Sequence, residues 1–292
     1  MNPPLLTFGI PAYRRPGLLR EALASIAAQT ASVDYEVVVA DDGCIEETRL
    51  AAEKFPGGRC RYVANNPALG AIANWNRCIE LAQGSWVTIL HEDDTLYPWY
   101  LESILPRLRD TLAAVCTRTV QGRSPPSLSP PRGKPSVLEY TPRYFIKSSM
   151  SPFPGVLFRR ELALRLGCFR ESWGPLADYE FWYRLACAGP IEVVRTQCAF
   201  YRVAPGQWTE QNWPRMLRET HLLRLRIARE QFGRAPRLGR WLARFFTCRN
   251  ARSYANRFSE RPTVLQRALK LDRIPFAWIP SGWIWQLLKT FG

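Results

Sequence analysis

The sequence predicts an α/β protein built on a mostly parallel sheet, because apolar strand-like runs and helix-like segments alternate through its first 90 residues. Two of the runs are LLTFGI (residues 5–10) and YEVVVA (residues 35–40). Unbroken apolar runs are typical of strands that are buried on both faces, whereas half-exposed strands alternate with polar residues. We therefore expect helices to cover both faces of the sheet.

The segments between these runs have helical periodicity. Residues 16–29 place Leu19, Leu23 and Ile26 on one side of a helix, and Pro16 suits its first turn. The predicted order is strand 5–10, helix 16–29, strand 35–40, helix 46–55, strand 60–64, helix 68–84 and strand 86–90.

The later sequence changes in texture twice. Residues 121–136 contain five prolines with Ser, Gly and basic residues, which predicts a flexible loop. Predicted elements then follow as a strand and helix in 155–169, a helix from 178, a strand in 191–203, and basic amphipathic helices in 213–232 and 237–246. We predict a first domain over residues 1–206 and a basic, Trp-rich helical extension over residues 207–292.

The positive charge is concentrated in that extension. The formal net charge is +15; residues 207–292 have 17 Lys+Arg against 5 Asp+Glu, a net of +12. Such a field favours an anionic partner. The extension is interpreted either as a helical layer with a solvated basic face or as an attachment to an anionic membrane surface, with the tryptophans of 278–285 at the interface. Nucleic-acid binding is not expected, because no recognised motif accompanies the charge.

Cysteine usage and the chain start indicate a reducing compartment. The eight cysteines are scattered without a CxxC pair, so buried free thiols are expected rather than zinc ligands. The first residues lack the basic segment of a signal peptide, and no apolar run reaches 18 residues. We expect a cytoplasmic protein, with the inner face of the cytoplasmic membrane as an alternative location.

Polar residues follow all four early strands. They are Tyr13 after the first, Asp41 and Asp42 after the second, Asn65 and Asn66 after the third, and Glu92, Asp93 and Asp94 after the fourth. A single such site would be ordinary turn chemistry, but ligands gather at the carboxyl ends of parallel strands. Paired carboxylates supply the hard oxygen ligands that magnesium and manganese prefer. Walker A and GxGxxG motifs are absent, so a nucleotide diphosphate would be held by a metal and by side chains.

Three motifs in this order resemble a family-2 glycosyltransferase with the GT-A fold. They are IPAYRRPGLLREALASIAAQT, VVVADDG and ALGAIANWNRCIELAQGSWVTILHEDD, and LADYEFWYRL and AFYRV extend the resemblance to about residue 206. The resemblance implies an inverting hexosyltransferase that uses a UDP- or dTDP-type sugar donor. The implied acceptor is a hydroxyl of a glycan or lipid-linked glycan in bacterial surface-polysaccharide biosynthesis.

The resemblance also implies a donor-binding set after the first three strands. Pro11 and Tyr13 match the loop that packs against the nucleobase, where an aromatic ring can stack on the base. Asp42 matches the carboxylate that reads a uracil-type imide. Asn74 falls where relatives carry a polar or basic side chain near the donor phosphates.

The remaining implied roles belong to carboxylates. Asp93 matches a ribose contact and Asp94 the ligand of manganese or magnesium, while Glu92 keeps no role beyond a supporting or solvent-facing carboxylate. Asp178 matches the general base that would take the proton of the acceptor hydroxyl. From the residues alone, Asp178 also suits a helix N-cap.

Three departures from the family pattern accompany the resemblance. Ala177 stands where many relatives have Glu, Ala204 stands near a position where many have His, and the QxxRW motif of processive synthases is missing. His91, beside the acidic residues, is interpreted either as compensating for the missing His or as a packed or exposed side chain. Two other functions stay open, a nucleotidyltransferase and a catalytically silent binding subunit.

Overall fold

The structure is a computed structural model, and it describes residues 3–150, 152–204 and 208–257. The described residues divide into two compact units, one formed by 3–139 with 150–204 and the other by 140–149 with 208–257. The second unit thus takes up 140–149, a segment that the sequence assigned to the first domain. The boundary between residues 206 and 207 stays a prediction, and the tryptophans of 278–285 lie outside the described residues.

The first half of the first unit has the order that the sequence predicts. Its elements are β1 (Leu6–Ala12), α1 (Pro16–Ala27), β2 (Tyr35–Asp41), α2 (Glu46–Glu53), β3 (Cys60–Ala64), α3 (Ala71–Leu81) and β4 (Trp86–Ile89). These four strands are parallel neighbours in the order β3-β2-β1-β4. The prediction of a parallel sheet is confirmed for this half.

The second half adds strands of both directions. Its elements are β5 (Thr95–Leu96), α4 (Tyr100–Ile104), β6 (Ala114–Gly122), β7 (Val137–Tyr140), β8 (Val156–Arg159), α5 (Arg160–Arg165), α6 (Ala177–Ala188) and β9 (Ile191–Arg202). The sheet continues from β4 through β8, β6 and β9 to β5, and β7 pairs with β9. β8 is antiparallel to both of its neighbours, and β5 is antiparallel to β9, whereas β6 and β9 are parallel. Residues 123–136 form neither helix nor strand, as predicted for the loop of 121–136, but residues 121 and 122 belong to β6.

β1 packs closely on α3, and its end lies level with the ends of β2 and β3. A Cβ at Gly9 would lie 2.7 Å from the Cβ of Cys78 in α3, so only glycine lets this helix pack so closely on the strand. In the parallel register Ala12 lies beside Asp41, and Asp41 lies beside Ala64. The ends of β1, β2 and β3 therefore meet at one edge of the sheet.

The second unit is helical. Its long helices are α7 (Trp208–Gln231) and α8 (Pro236–Arg257), which agree with the helices predicted at 213–232 and 237–246. Leu217 and Ile227 of α7 and Phe246 of α8 are buried. Within the described ranges, no helix combines the length and the apolar character needed to cross a bilayer.

Candidate active site

A tight turn directly after β4 brings three potential metal ligands together. The amide of Asp94 donates to the carbonyl of His91 at 3.0 Å and so closes the turn. One ring nitrogen of His91 and one carboxylate oxygen each of Asp93 and Asp94 lie within 4.8 Å of one another. We refer to these three residues as the turn cluster.

Asp94 has a buried carboxylate oxygen without a hydrogen-bond partner among the described residues. The residue is 1% exposed, and its Oδ1 accepts from the amide of Arg202 at 2.9 Å. Within the described residues its Oδ2 has no hydrogen-bond partner. Burial raises the pKa of Asp94 well above its ordinary value, and the neighbouring charge of Asp93 adds to this effect. A buried, unpaired carboxylate oxygen is unfavourable unless a cation or proton meets it, so the turn cluster fits a divalent cation.

His91 is held beside this oxygen by aromatic packing. Its Nδ1 lies 3.8 Å from Asp94 Oδ2, and its ring centroid lies 4.6 Å from that of Phe153 and 5.4 Å from that of Trp75. Burial lowers the pKa of His91 to about 4, so the imidazole is neutral at pH 7. A neutral imidazole has the lone pair that a metal ligand needs.

Glu92 ties the turn to the loop that follows β1. It is 1% exposed; its Oε2 accepts from the amide of Tyr13 at 3.0 Å and its Oε1 from Nε of Arg15 at 2.7 Å. Arg15 also donates from Nη1 to Asp93 at 2.7 Å. Burial raises the pKa of Glu92, although Arg15 opposes this. The solvent-facing alternative for Glu92 is therefore wrong, because its carboxylate supports the site from within.

Tyr13 and Pro11 lie at the end of β1, where the sequence places the nucleobase loop. The Tyr13 side chain is 54% exposed, and the guanidinium carbon of Arg14 lies 5.3 Å from the centre of its ring. Pro11 is only partly buried, near the end of the strand. The ring is thus more than half exposed at this edge, and its contact with a base stays a prediction.

Asp41 is used entirely to shape the turn after β2. It is fully buried, and its two oxygens accept from the amide of Gly43 at 2.7 Å and from the hydroxyl of Tyr62 at 2.9 Å. Position 43 requires glycine, since a Cβ there would lie 2.9 Å from the backbone nitrogen of Arg14. This close approach brings the loops after β1 and β2 together.

Asp42, the predicted base reader, anchors the segment between β3 and α3. Its Oδ1 accepts from Asn65 Nδ2 at 2.8 Å and from the Leu69 amide at 3.2 Å, and its Oδ2 from the Gly70 amide at 2.8 Å. Asn74, the predicted phosphate neighbour, is 3% exposed. Its amide donates to a β2 carbonyl at 3.0 Å, and its oxygen accepts from Asn65 at 2.9 Å. Donor roles for both residues stay predictions, and this geometry gives Asn74 a positioning role.

Asp178, the predicted base, is the second residue of α6. The N-cap of that helix is Leu176, so the capping interpretation of Asp178 is wrong. Burial raises the pKa of Asp178 to about 6, although hydrogen bonds from backbone amides oppose this. One helical turn later, the ring centroid of Trp182 lies 5.7 Å from that of Phe153, which in turn packs on His91. A continuous chain of rings thus connects α6 to the turn cluster.

Sequence reasoning missed two arginines that organise the acidic residues. Arg202, the last residue of β9, donates from its amide to Asp94 and from Nε to the Asp93 carbonyl, each at 2.9 Å. Arg15 is the second arginine, through the ion pairs described above. The basic pair in YRRPG and the arginine in AFYRV were visible in the sequence, but their partners lie 77 to 109 positions away. Nothing local in the chain indicates those pairings.

The mostly parallel sheet, with helices packed on it and an acidic turn at its edge, has the GT-A architecture. Residues 7–167, more than half of the chain, match the model for Glycosyl transferase family 2. The chain belongs to this family.

Relatives in sequence agree with that membership. The chain is 31% identical over 203 residues to the uncharacterized protein MT1568 of Mycobacterium tuberculosis, and the matched residues make up 63% of each protein. It is 33% identical over 113 residues to the succinoglycan biosynthesis protein ExoO of Rhizobium meliloti, 37% of this chain and 32% of that protein. The chain thus spans less than two thirds of the length of these curated relatives.

Solved structures show the same fold. TarS 1–349 of S. aureus in complex with UDP-GlcNAc superposes with a TM-score of 0.61 at 18% identity, over 86% of this chain and 72% of that one. The mannosyltransferase PcManGT of Pyrobaculum calidifontis, in complex with GDP-Man and Mn²⁺, superposes with a TM-score of 0.57 at 18% identity, over 99% of this chain and 85% of that one. At these identities the likeness concerns the fold alone.

Proposed function

We propose that the chain is an inverting, metal-dependent glycosyltransferase that moves one sugar from a UDP- or dTDP-type donor to a hydroxyl of a glycan or lipid-linked glycan. The observation that carries the proposal is Oδ2 of Asp94, which is buried in the turn cluster at the carboxyl edge of the parallel strands and has no hydrogen-bond partner among the described residues. A divalent cation held by Asp94 would neutralise the charge that grows on the diphosphate as it leaves.

The nucleotide is proposed to lie on the ends of β1 and β2. The exposed ring of Tyr13 is available for stacking on the base, and Asp93 is the proposed ribose contact. Arg15 already pairs with Asp93 at 2.7 Å, so a ribose hydroxyl would share that carboxylate with the guanidinium. TarS with UDP-GlcNAc and PcManGT with GDP-Man are relatives in fold that hold nucleotide sugars.

Asp178 is the proposed general base. A single displacement requires a carboxylate to take the proton of the acceptor hydroxyl as its oxygen attacks the anomeric carbon from the face opposite the leaving group. A pKa of about 6 suits this task, because the group is mostly ionised at pH 7 yet more basic than an ordinary Asp. The anomeric centre is inverted by this step.

A donor screen tests the proposal directly. The full chain is melted with each of UDP-glucose, UDP-GlcNAc, dTDP-glucose and GDP-mannose, with and without Mn²⁺. Binding to the native state stabilises the fold by mass action, by about 2.7 kcal/mol when the free ligand concentration is 100 times the dissociation constant. The melting temperature rises as a result. We expect a Mn²⁺-dependent rise with a UDP or dTDP sugar, and hydrolysis of that donor; a rise with none of the four would refute the donor assignment.

The acceptor is proposed to be reached at an anionic membrane surface. Exposed Arg237, Arg240 and Arg244 follow one face of α8, and the partly exposed Trp241 lies among them. The Trp241 ring stacks on Phe245 with centroids 5.3 Å apart. Arginines around an aromatic residue suit the headgroup region of an anionic bilayer, and ExoO, by its name, acts in succinoglycan biosynthesis.

Vesicle flotation tests this location. Each basic residue near an anionic surface contributes about 1 kcal/mol, so replacing Arg237, Arg240 and Arg244 by Gln is expected to weaken partitioning onto phosphatidylglycerol-containing vesicles about 100-fold. The matched control replaces three exposed arginines of the first unit, at positions 20, 59 and 132. Equal flotation of the two triple variants would count against the α8 surface.

A further inference from the structure

We propose that His91 is a direct ligand of the metal and biases the site toward Mn²⁺ over Mg²⁺. This inference rests on the proposed function, since it concerns the cation that the transferase would use. It assigns to a histidine a task that the resemblance gave to Asp94 alone.

The turn geometry is the first argument. Because the amide of Asp94 closes the turn onto the carbonyl of His91 at 3.0 Å, the first and last side chains of the turn face the same volume. His91 Nδ1 and Asp94 Oδ2 are 3.8 Å apart. Ligands about 2.1 Å from a six-coordinate ion are about 3 Å apart when adjacent and about 4.2 Å apart when opposite. The pair therefore already has a spacing that one ion can bridge.

The second argument is that both side chains are held in place from behind. Asp94 is fixed by the Arg202 amide on Oδ1, which leaves Oδ2 as the atom directed at the cluster. The ring of His91 packs against both Trp75 and Phe153, with centroids 5.4 and 4.6 Å away. A ligand that is already immobilised loses little conformational freedom on binding.

The donor set is the third argument. Two carboxylates alone would suit Mg²⁺ and Mn²⁺ alike, whereas an imidazole nitrogen favours the softer transition ion. The chain has only one other histidine, His221, whose Nδ1 is 3.1 Å from the hydroxyl of Thr247 in the second unit. The contribution of His91 can therefore be measured by a single substitution.

The test is Mn²⁺ binding to the full chain in the presence of UDP, followed by electron paramagnetic resonance and calorimetry. In protein labelled with ¹⁵N-histidine, pulsed spectra should show ¹⁵N coupling to Mn²⁺, which separates a histidine ligand from the nitrogens of uracil. His91→Phe keeps an aromatic ring against Phe153 but removes the nitrogen, and should abolish this coupling. Substitution of a residue that only hydrogen-bonds to a metal ligand typically weakens metal binding about 10- to 100-fold, so loss of a direct ligand should weaken Mn²⁺ binding by at least this much.

Two further variants sharpen the result. His91→Asn places an amide oxygen near the former Nδ1, so the ratio of Mn²⁺ to Mg²⁺ affinity, measured by competition, should fall while binding survives. His221→Asn is the control and should leave the coupling and both affinities unchanged.

Specific outcomes overturn the inference. If Mn²⁺ binds the wild type without ¹⁵N coupling and binds His91→Phe with unchanged affinity, His91 is not a metal ligand. The transferase proposal is unaffected by that result. Wild type that binds UDP but no Mn²⁺ removes both the histidine ligand and the metal dependence, and donor hydrolysis then decides whether the transferase proposal survives.

Discussion

Two acidic groups, at the ends of β2 and β4, look alike in the sequence and differ in the structure. Asp41 and Asp42, at the end of β2, use all four carboxylate oxygens on hydrogen bonds within the protein. In the group after β4, Glu92 and Asp93 pair with an arginine, and Asp94 keeps a buried oxygen that has no partner among the described residues. The first group shapes loops, whereas the second contains a carboxylate oxygen that no described residue hydrogen-bonds.

This difference separates structural from chemical acids. Carboxylates that accept from backbone amides stabilise the fold, so their loss should be seen first in stability. A buried carboxylate with a bare oxygen opposes folding, so its loss should be seen in ligand binding and not in stability. The predictions below test that distinction.

Asp94→Asn is expected to have the largest effect on metal and donor binding. The variant can keep the hydrogen bond from the Arg202 amide but loses the charge that faces the turn cluster. Mn²⁺-dependent UDP binding should therefore fall by about 100-fold or more, at least the loss typical when a residue that supports a metal ligand is replaced. Its melting temperature should stay level or rise, because a buried charge is removed. Calorimetry and a thermal melt measure the two quantities; a clear loss of stability with normal Mn²⁺ binding would place Asp94 among the structural acids.

Asp178→Asn should lower kcat by about 10²- to 10⁴-fold, the usual contribution of a general base, and leave UDP binding unchanged. Wild-type kcat should rise with pH through about 6, as the carboxylate ionises. Steady-state kinetics from pH 5 to 8 measure both. Transfer that persists unchanged in the variant would show that the base lies elsewhere.

The same substitution should affect stability with a defined sign. The pKa of Asp178 in the fold, about 6, is above the value of about 3.9 expected in the unfolded chain. Ionisation therefore destabilises the fold, and this penalty grows between about pH 4 and pH 6 and is constant above. Asp178→Asn should melt a few degrees higher than wild type at pH 8, and the difference should vanish toward pH 4. A difference independent of pH would contradict the raised pKa.

Asp42→Ala should reduce the free energy of unfolding by about 1–3 kcal/mol, because the amides of Leu69 and Gly70 lose their acceptor. Urea denaturation measures it, with Asp94→Asn as the contrasting variant. If Asp42→Ala were as stable as wild type and failed only in UDP binding, Asp42 would belong with the chemical acids instead.

Glu92→Gln should have the smallest effect. Arg15 is about half exposed, and such ion pairs contribute about 0.2–1 kcal/mol, so the KM for the donor should rise at most about fivefold with kcat little changed. Glu92→Ala should be somewhat worse, since the Tyr13 amide also loses its acceptor. Should Glu92→Gln prove more damaging than Asp94→Asn, the assignment of the metal ligand would shift within the motif.

Hydrophobic patterning predicted the first four strands and the helices between them, because β1, β2 and β4 are buried along most of their length and appear as apolar runs in the sequence. The antiparallel insertion of β8 was not predicted, since strand direction depends on partners that are distant in the sequence. The burial of individual polar side chains was also not predictable from the sequence. Glu92 and Asp93 are adjacent and chemically similar, yet one is 1% exposed and the other only partly buried. Asn74 is a comparable case, because its partners belong to two different strand ends.

The bridge that Glu92 makes between two loops has an evolutionary consequence. Tyr13 is the proposed nucleobase contact and Asp94 the proposed metal ligand, and Glu92 connects their two segments by accepting from the Tyr13 amide and from Arg15. A lineage that exchanges the charge at position 15 should therefore exchange the residue at 92 as well. Nucleotide preference and metal preference would then drift together across descendants of this sequence, instead of changing independently.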